Sequence, residues 1–174
     1  MVVGLHYQCI KQEENMPKIK SCDCESSIIF ELNLHNGKGF IYDKEQADYL
    51  NWVPYDFFLN VVKTKYILKE LTFSLEGIKT FIGRLQTVIE ERNKKREYEE
   101  YEYCSTEAEF RIYLQNTEDY YETEIVLIKL WINAACLEDA GSGYSIGFDF
   151  IVKYEDLKKF TRELEKQLNE ILKS

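Results

Sequence analysis

The sequence predicts an α+β fold, an antiparallel β-sheet with two amphipathic helices packed on one face, in the order β-β-β-β-α-β-β-β-β-α. Three observations predict it. Apolar residues alternate with polar ones at period two through much of the chain, as in Ile28, Phe30, Leu32 and Leu34. Within residues 75–89 and 157–171 the spacing lengthens to three and four. Each of these helical stretches follows a strand-rich run, so every element has one apolar side, and packing the helices on the sheet hides both. At 174 residues, with 45% hydrophobic and 14% aromatic side chains, the chain supports one well-buried core rather than two. A single domain over 1–174 is expected, with 1–25 as an N-terminal edge strand and polar loop and 26–174 as the sheet-plus-two-helix core.

Residues 2–7 read as a short edge strand, and residues 8–25, polar and charged around Pro17 and Cys22-Asp23-Cys24, as a loop. A single C-x-C lacks the second pair or the histidines of a structural zinc site, so no metal is expected there. After the strand ending at Leu34, Asn36-Gly37 supplies a turn. Residues 40–42 would then continue a hairpin, 43–54 are irregular, and Trp52 is assigned to the core. Phe57, Leu59 and Val61 open a strand pair that continues over 65–71, joined at Lys63-Thr64. Leu75, Ile78, Phe81, Ile82, Leu85, Val88 and Ile89 form the stripe of the first helix, with Thr72 or Ser74 as N-cap. Arg92, Lys94, Lys95 and Arg96 suit its negative C-terminal dipole and need no ligand to explain them.

Residues 97–124 set the electrostatics. They hold Glu97, Glu99, Glu100, Glu102, Glu107, Glu109, Glu118, Asp119, Glu122 and Glu124 against one base, Arg111, so 1 − 10 = −9, the formal charge of the whole chain. Tyr98, Tyr101, Tyr103, Tyr113, Tyr120 and Tyr121 lie there too. Phe110, Ile112 and Leu114 alternate with Glu109, Arg111 and Tyr113, which predicts a strand whose charged face meets water, followed by a turn at 116–122. Residues 125–132 are apolar on both parities, as in a central strand partly covered on both faces. A connection at 139–143, a strand through Ile146, Phe148, Phe150 and Val152, and a helix through Leu157, Phe160, Leu164, Leu168 and Ile171 complete the chain. Ile78, Phe81 and Leu85 recur as Leu157, Phe160 and Leu164, each 79 residues on. That echo fits an internal duplication, and equally the spacing that any amphipathic helix shows.

Charge and composition narrow the function. A pI near 4.9 disfavours nucleic acid and anionic membrane surfaces, both of which need a basic face. No apolar run approaches the roughly twenty residues of a membrane span, and the N-terminus lacks a signal-peptide pattern, so a cytoplasmic protein is expected. Five irregularly spaced cysteines argue against a disulfide framework. His6 and His35 are the only histidines, and neither sits in a nucleophile context. The Gly-rich run from Ala140 to Gly147 leads into a strand, so it lacks the helix N-terminus that would hold a phosphate. No catalytic residue, cofactor or metal is expected.

Asn51-Trp52 before a strand pair, the helix carrying Leu75, Ile78, Phe81 and Leu85, and the strand Glu107-Ala108-Glu109-Phe110-Arg111-Ile112 form an ordered pattern. A long apolar strand, Gly147-Phe148-Asp149-Phe150 and a closing helix with Leu157, Phe160 and Leu164 continue it. Over roughly residues 46–172 this order resembles the WapI-type bacterial immunity proteins. The segment before residue 46 and the Tyr/Glu run 97–103 fall outside the shared pattern. The resemblance implies a cytosolic antidote that binds and blocks the toxic C-terminal domain of a contact-delivered toxin, commonly a nuclease. It transfers no site residues. The acidic stretch suggests a basic partner, and Glu99, Glu100, Tyr101 and Glu102 with Glu118, Asp119, Tyr120, Tyr121 and Glu122 are the candidate partner-binding residues. The same acids could equally serve to solvate an exposed strand edge. A small non-catalytic ligand-binding domain or an enzyme of unknown activity is the alternative class.

Overall fold

The computed structural model describes residues 16–22, 27–95, 97, 99–105, 108–115, 124–133 and 145–173. Within them the predicted order appears: β1 (Lys18–Lys20), β2 (Ile28–Leu34), β3 (Trp52–Val61), β4 (Thr64–Ser74), α1 (Leu75–Asn93), β5 (Tyr101–Cys104), β6 (Phe110–Gln115), β7 (Ile125–Asn133), β8 (Ser145–Lys153) and α2 (Tyr154–Ile171). The strands form two four-stranded antiparallel meanders, β1-β2-β3-β4 and β5-β6-β7-β8. Among the described residues a bridge between Ser21 and Val152 joins them, and the Cys22 N–H donates to the Ile151 carbonyl at 2.9 Å. The first strand of one meander thus meets the last strand of the other.

Alternation decides which way each strand faces. Phe30 and Leu32 on β2, Phe57 on β3, Ile112 on β6 and Ile128 on β7 are all fully buried, while their sequence neighbours turn outward; Tyr55 on β3 is fully buried beside a buried Pro54. Phe110 on β6 sits among Phe57 at 5.3 Å, Phe73 at 5.9 Å, Tyr103 at 6.2 Å, and Phe30 and Tyr55 at 6.3 Å between ring centroids. Phe30 also meets Phe160 of α2 at 5.6 Å, and Phe81 of α1 meets Tyr103 at 4.6 Å. Both helices and the opposite sheet therefore share one apolar side of each meander. Each of these side chains contributes about 1.5–3 kcal/mol by leaving water.

The helix starts differ in chemistry. Ser74, rather than Thr72, takes an extended N-cap conformation, and its Oγ accepts the Gly77 N–H at 3.1 Å. Lys153 has similar backbone angles but offers no side-chain cap; Glu155 and Asp156 in the first turn suit the dipole instead. Tyr154 compensates from the side, donating its hydroxyl to the Ile89 carbonyl at 2.5 Å and so tying the start of α2 to the end of α1. The helix starts, Leu75 and Tyr154, lie 154 − 75 = 79 residues apart.

Several local expectations are corrected. β1 lies inside the expected 8–25 loop; with only Ile19 buried between exposed Lys18 and Lys20 it is too short to show a period. Residues 40–42 form no strand, because β2 pairs with β1 and β3 and a 3-10 turn at Gly37–Gly39 leads the chain away. The β3–β4 turn falls at Val62-Lys63 rather than Lys63-Thr64, with Val62 at φ 54. Trp52 is 37% exposed: Val53, Tyr55 and Phe57 hold the inward parity, so Trp52 takes the other. The expected edge strand at 2–7, the turn at 116–122 and the connection at 139–143 lie outside the described residues.

Candidate functional site

The acidic stretch contributes a hairpin. β5 pairs with β6 in the register Tyr101 to Leu114, Glu102 to Tyr113, Tyr103 to Ile112 and Cys104 to Arg111. That register sets the end of β6 beside the start of β5, where Glu97, Glu99, Glu100 and Glu102 are exposed. The Tyr113 hydroxyl donates to Glu100, and that bond raises the Tyr113 pKa. Glu102 lies 3.5 Å from the Arg111 guanidinium. Tyr101 turns the other way, half-buried beneath Arg84, whose guanidinium is 5.3 Å from the ring centroid. Burial raises its pKa and Arg84 opposes that rise. The structure thus groups Glu99, Glu100 and Glu102, while Tyr101 is half-buried and packs against the core. Glu118, Asp119, Tyr120, Tyr121 and Glu122 lie outside the described residues.

Beside these acids is a surface that the sequence reading missed. The outward parity of β5–β8 sets Cys104, Arg111, Trp131 and Gly147 in one cross-strand row, and Glu102, Tyr113, Lys129 and Asp149 in the next. Trp131 lies against Gly147 so closely that a Cβ there would fall 2.7 Å from the indole nitrogen. The Arg111 guanidinium stands over the ring at 5.6 Å from its centroid. Lys129 approaches Asp149 at 3.9 Å. Leu127 and Ile151 continue the face, both half-buried. The signal was present in the double-parity run of β7, whose Leu127 and Trp131 fall on the parity of Lys129.

Behind the hairpin is a buried polar cluster. Glu109, expected on the wet face, is only 4% exposed. Its carboxylate accepts the Ser105 hydroxyl at 2.6 Å, while Ser105 Oγ accepts the Phe110 N–H at 3.1 Å and the Ser105 carbonyl accepts the Ala108 N–H at 2.8 Å. This tight turn puts Ala108 at φ 58 and turns Glu109 inward before the strand parity is established. The hydroxyls of Tyr55 and Tyr103 are buried; that of Tyr103 has no hydrogen-bond partner, while that of Tyr55 lies beside Ser105 and Glu109. Burial, reinforced by the Glu109 charge, pushes both phenol pKa values far above the ordinary value. With Tyr55, Tyr103, Ser105 and Glu109 all at 6% exposure or less, the cluster is closed to a substrate and acts in packing.

Asn51 and His35 have structural roles. The Asn51 side chain accepts the Asp43 N–H at 3.0 Å and donates to the carbonyls of Asp43 and Ala47, while its own carbonyl accepts the Leu75 N–H at 2.7 Å. It therefore anchors the 43–51 loop to the start of α1, and Lys79 binds Asp48 at 2.7 Å in support. His35 Nδ1 accepts the Gly37 N–H at 3.1 Å and Nε2 lies 3.5 Å from Asp56. Among the described residues no group of three His, Cys, Asp or Glu is placed to hold a metal, and no helix is long and apolar enough to cross a membrane. No family model matches the chain, and no curated protein matches it.

Proposed function

We propose that this chain is an immunity protein that binds and neutralises a cognate bacterial toxin domain, of nuclease type, in the cytoplasm of the producing cell. It acts by contact and not by catalysis. The observation that carries the reading is the concentration of charge: residues 97–124 hold the entire formal −9, and Glu97, Glu99, Glu100 and Glu102 from that stretch are exposed together beside one hairpin. A nuclease must present a cationic surface to phosphates, and an exposed acidic margin is complementary to it. The resemblance in element order to WapI-type immunity proteins points the same way.

The test begins with the genes beside this one, where a toxin gene is expected and its absence counts against the reading; the C-terminal domain of that toxin is co-expressed with the chain, and complex formation is measured with the purified proteins. Protection and a stable complex are expected; toxicity unchanged by the chain, with no complex, refutes the reading. Changing Glu99, Glu100 and Glu102 together to lysine should slow association about tenfold or more at low salt and flatten its salt dependence. Exposed charges steer over only about 8–10 Å at ordinary ionic strength, so the wild-type advantage should shrink as salt rises. Unchanged association kinetics in the folded variant would detach the acidic margin from binding.

A further inference from the structure

We propose that the outer face of the β5–β8 sheet, centred on Trp131 with Tyr113 and Arg111, is the surface on which a basic protein domain docks. This deepens the reading above and rests on it. Trp131 is not held there by core packing: it occupies the outward parity of β7, and its indole edge fills the space where Gly147 has no side chain. Arg111 over the ring, Tyr113 one row away and half-buried Leu127 give the face the large, rigid side chains that dominate protein interfaces. Two of its cations are already balanced, Arg111 by Glu102 and Lys129 by Asp149. Glu99 and Glu100 then leave a surplus of negative charge along the β5 margin, with no cation among the described residues at ion-pair distance.

The outer face of the first sheet carries no such surplus: Lys18, Lys20 and Lys65 are exposed there around Ile67, with Glu31 across from Lys18 and Asp56 on the same parity. The net negative margin of the second sheet attracts a basic partner, which commits the occupant to the Trp131 face. Docking covers the indole and the half-exposed aliphatic side chains, while the acids at the margin set the approach.

The probe is the C-terminal toxin domain from the adjacent gene, with dissociation constants and rates measured for the wild type and three variants. Trp131→Ala should weaken binding on the order of 30-fold or more, chiefly through faster dissociation. Gly147→Ala should act in the same direction, because the added methyl displaces the indole, and the displacement should shift tryptophan emission. Lys65→Ala with Ile67→Ala on the opposite sheet should leave affinity within about twofold. If Trp131→Ala does not fold, Tyr113→Ala replaces it, with a smaller loss expected. Failure of the wild type to bind overturns the immunity reading, and this inference with it. Tight binding by the wild type and equally tight binding by the folded Trp131 and Gly147 variants overturns the docking face alone. Loss confined to the Lys65/Ile67 variant assigns the partner to the first sheet and also overturns it.

Discussion

The two halves of the molecule share an element order and differ in almost everything outside their cores. Residues 18–93 and 101–171 each run through a four-strand meander into one helix, and each helix buries a phenylalanine at the equivalent place, Phe81 and Phe160. Around that common plan the first half braces its helix with Ser74 and Asn51, whereas the second starts its helix at an uncapped Lys153 and relies on Tyr154 reaching to the first helix. The outer faces diverge further, into lysines mixed with acids around Ile67 on one sheet and Trp131 beside an acidic margin on the other. The apolar stripe repeats because burying it is what holds either half together. The caps, loops and outward faces carry no such constraint and are free to differ.

The strongest way to break this comparison is to truncate the matched rings. Phe81→Ala and Phe160→Ala should each cost about 3–5 kcal/mol, a large part of a total stability of about 5–15 kcal/mol. Urea denaturation of both would show it, and a loss under about 1 kcal/mol in either would mean that the helices are not equivalent supports.

The next test probes the contact between the halves, where Tyr55 of one and Tyr103 of the other keep protonated hydroxyls in the core. Their folded pKa values lie above the unfolded one, so the folded state retains protons that the unfolded chain releases. The stabilisation is complete below the unfolded phenol value near 10 and declines as pH rises past it, by about 1.4 kcal/mol per pH unit for each tyrosine. Denaturation at pH 9 to 11 should show the onset of that slope, small at pH 9 and steepening above pH 10. Tyr55→Phe and Tyr103→Phe should each flatten it, and Tyr103→Phe should change neutral-pH stability by no more than about 1 kcal/mol, since its hydroxyl has no hydrogen bond to lose.

The smallest effects would sharpen the contrast in capping. Ser74→Ala should cost about 1 kcal/mol, and Lys153→Asp should gain about 0.5–1 kcal/mol by giving the second helix the cap it lacks. Thermal melts resolve both. A neutral Lys153→Asp would show that the Tyr154 contact already holds that helix start.

The order of strands and helices was legible because it depends on periodicity, which neighbouring residues express by themselves. Helix α1 was legible down to a choice of two caps, Thr72 or Ser74, of which Ser74 is the one used. The misses arose where distant or tightly turned residues decide the outcome. Glu109 continues a polar alternation in sequence, yet the Ser105 turn draws it inside. Trp52 looks like a core residue by type, but the parity set by Tyr55 and Phe57 turns it outward. Of the candidate site, the exposure of Glu99, Glu100 and Glu102 could be read from composition. The Trp131 face could not, because it depends on which residue of β8 lies across from the indole, and the answer, Gly147, is a matter of register.

The bridge between Ser21 and Val152 gives the fold a particular assembly order. It joins residues 152 − 21 = 131 positions apart, whereas β2–β3 and β7–β8 are pairings between neighbours in the chain. Loop closure grows more costly with separation, so the local meanders can form early and the connection between them is expected to close last. Until it does, Phe30, Phe57 and Phe73 lack Phe110 against them, and Phe110 lacks all three. A nascent chain therefore carries an exposed aromatic surface from the completion of its first half until the second arrives, and the interval is set by translation: about 80 residues at roughly 5–20 per second, or on the order of 4–16 seconds.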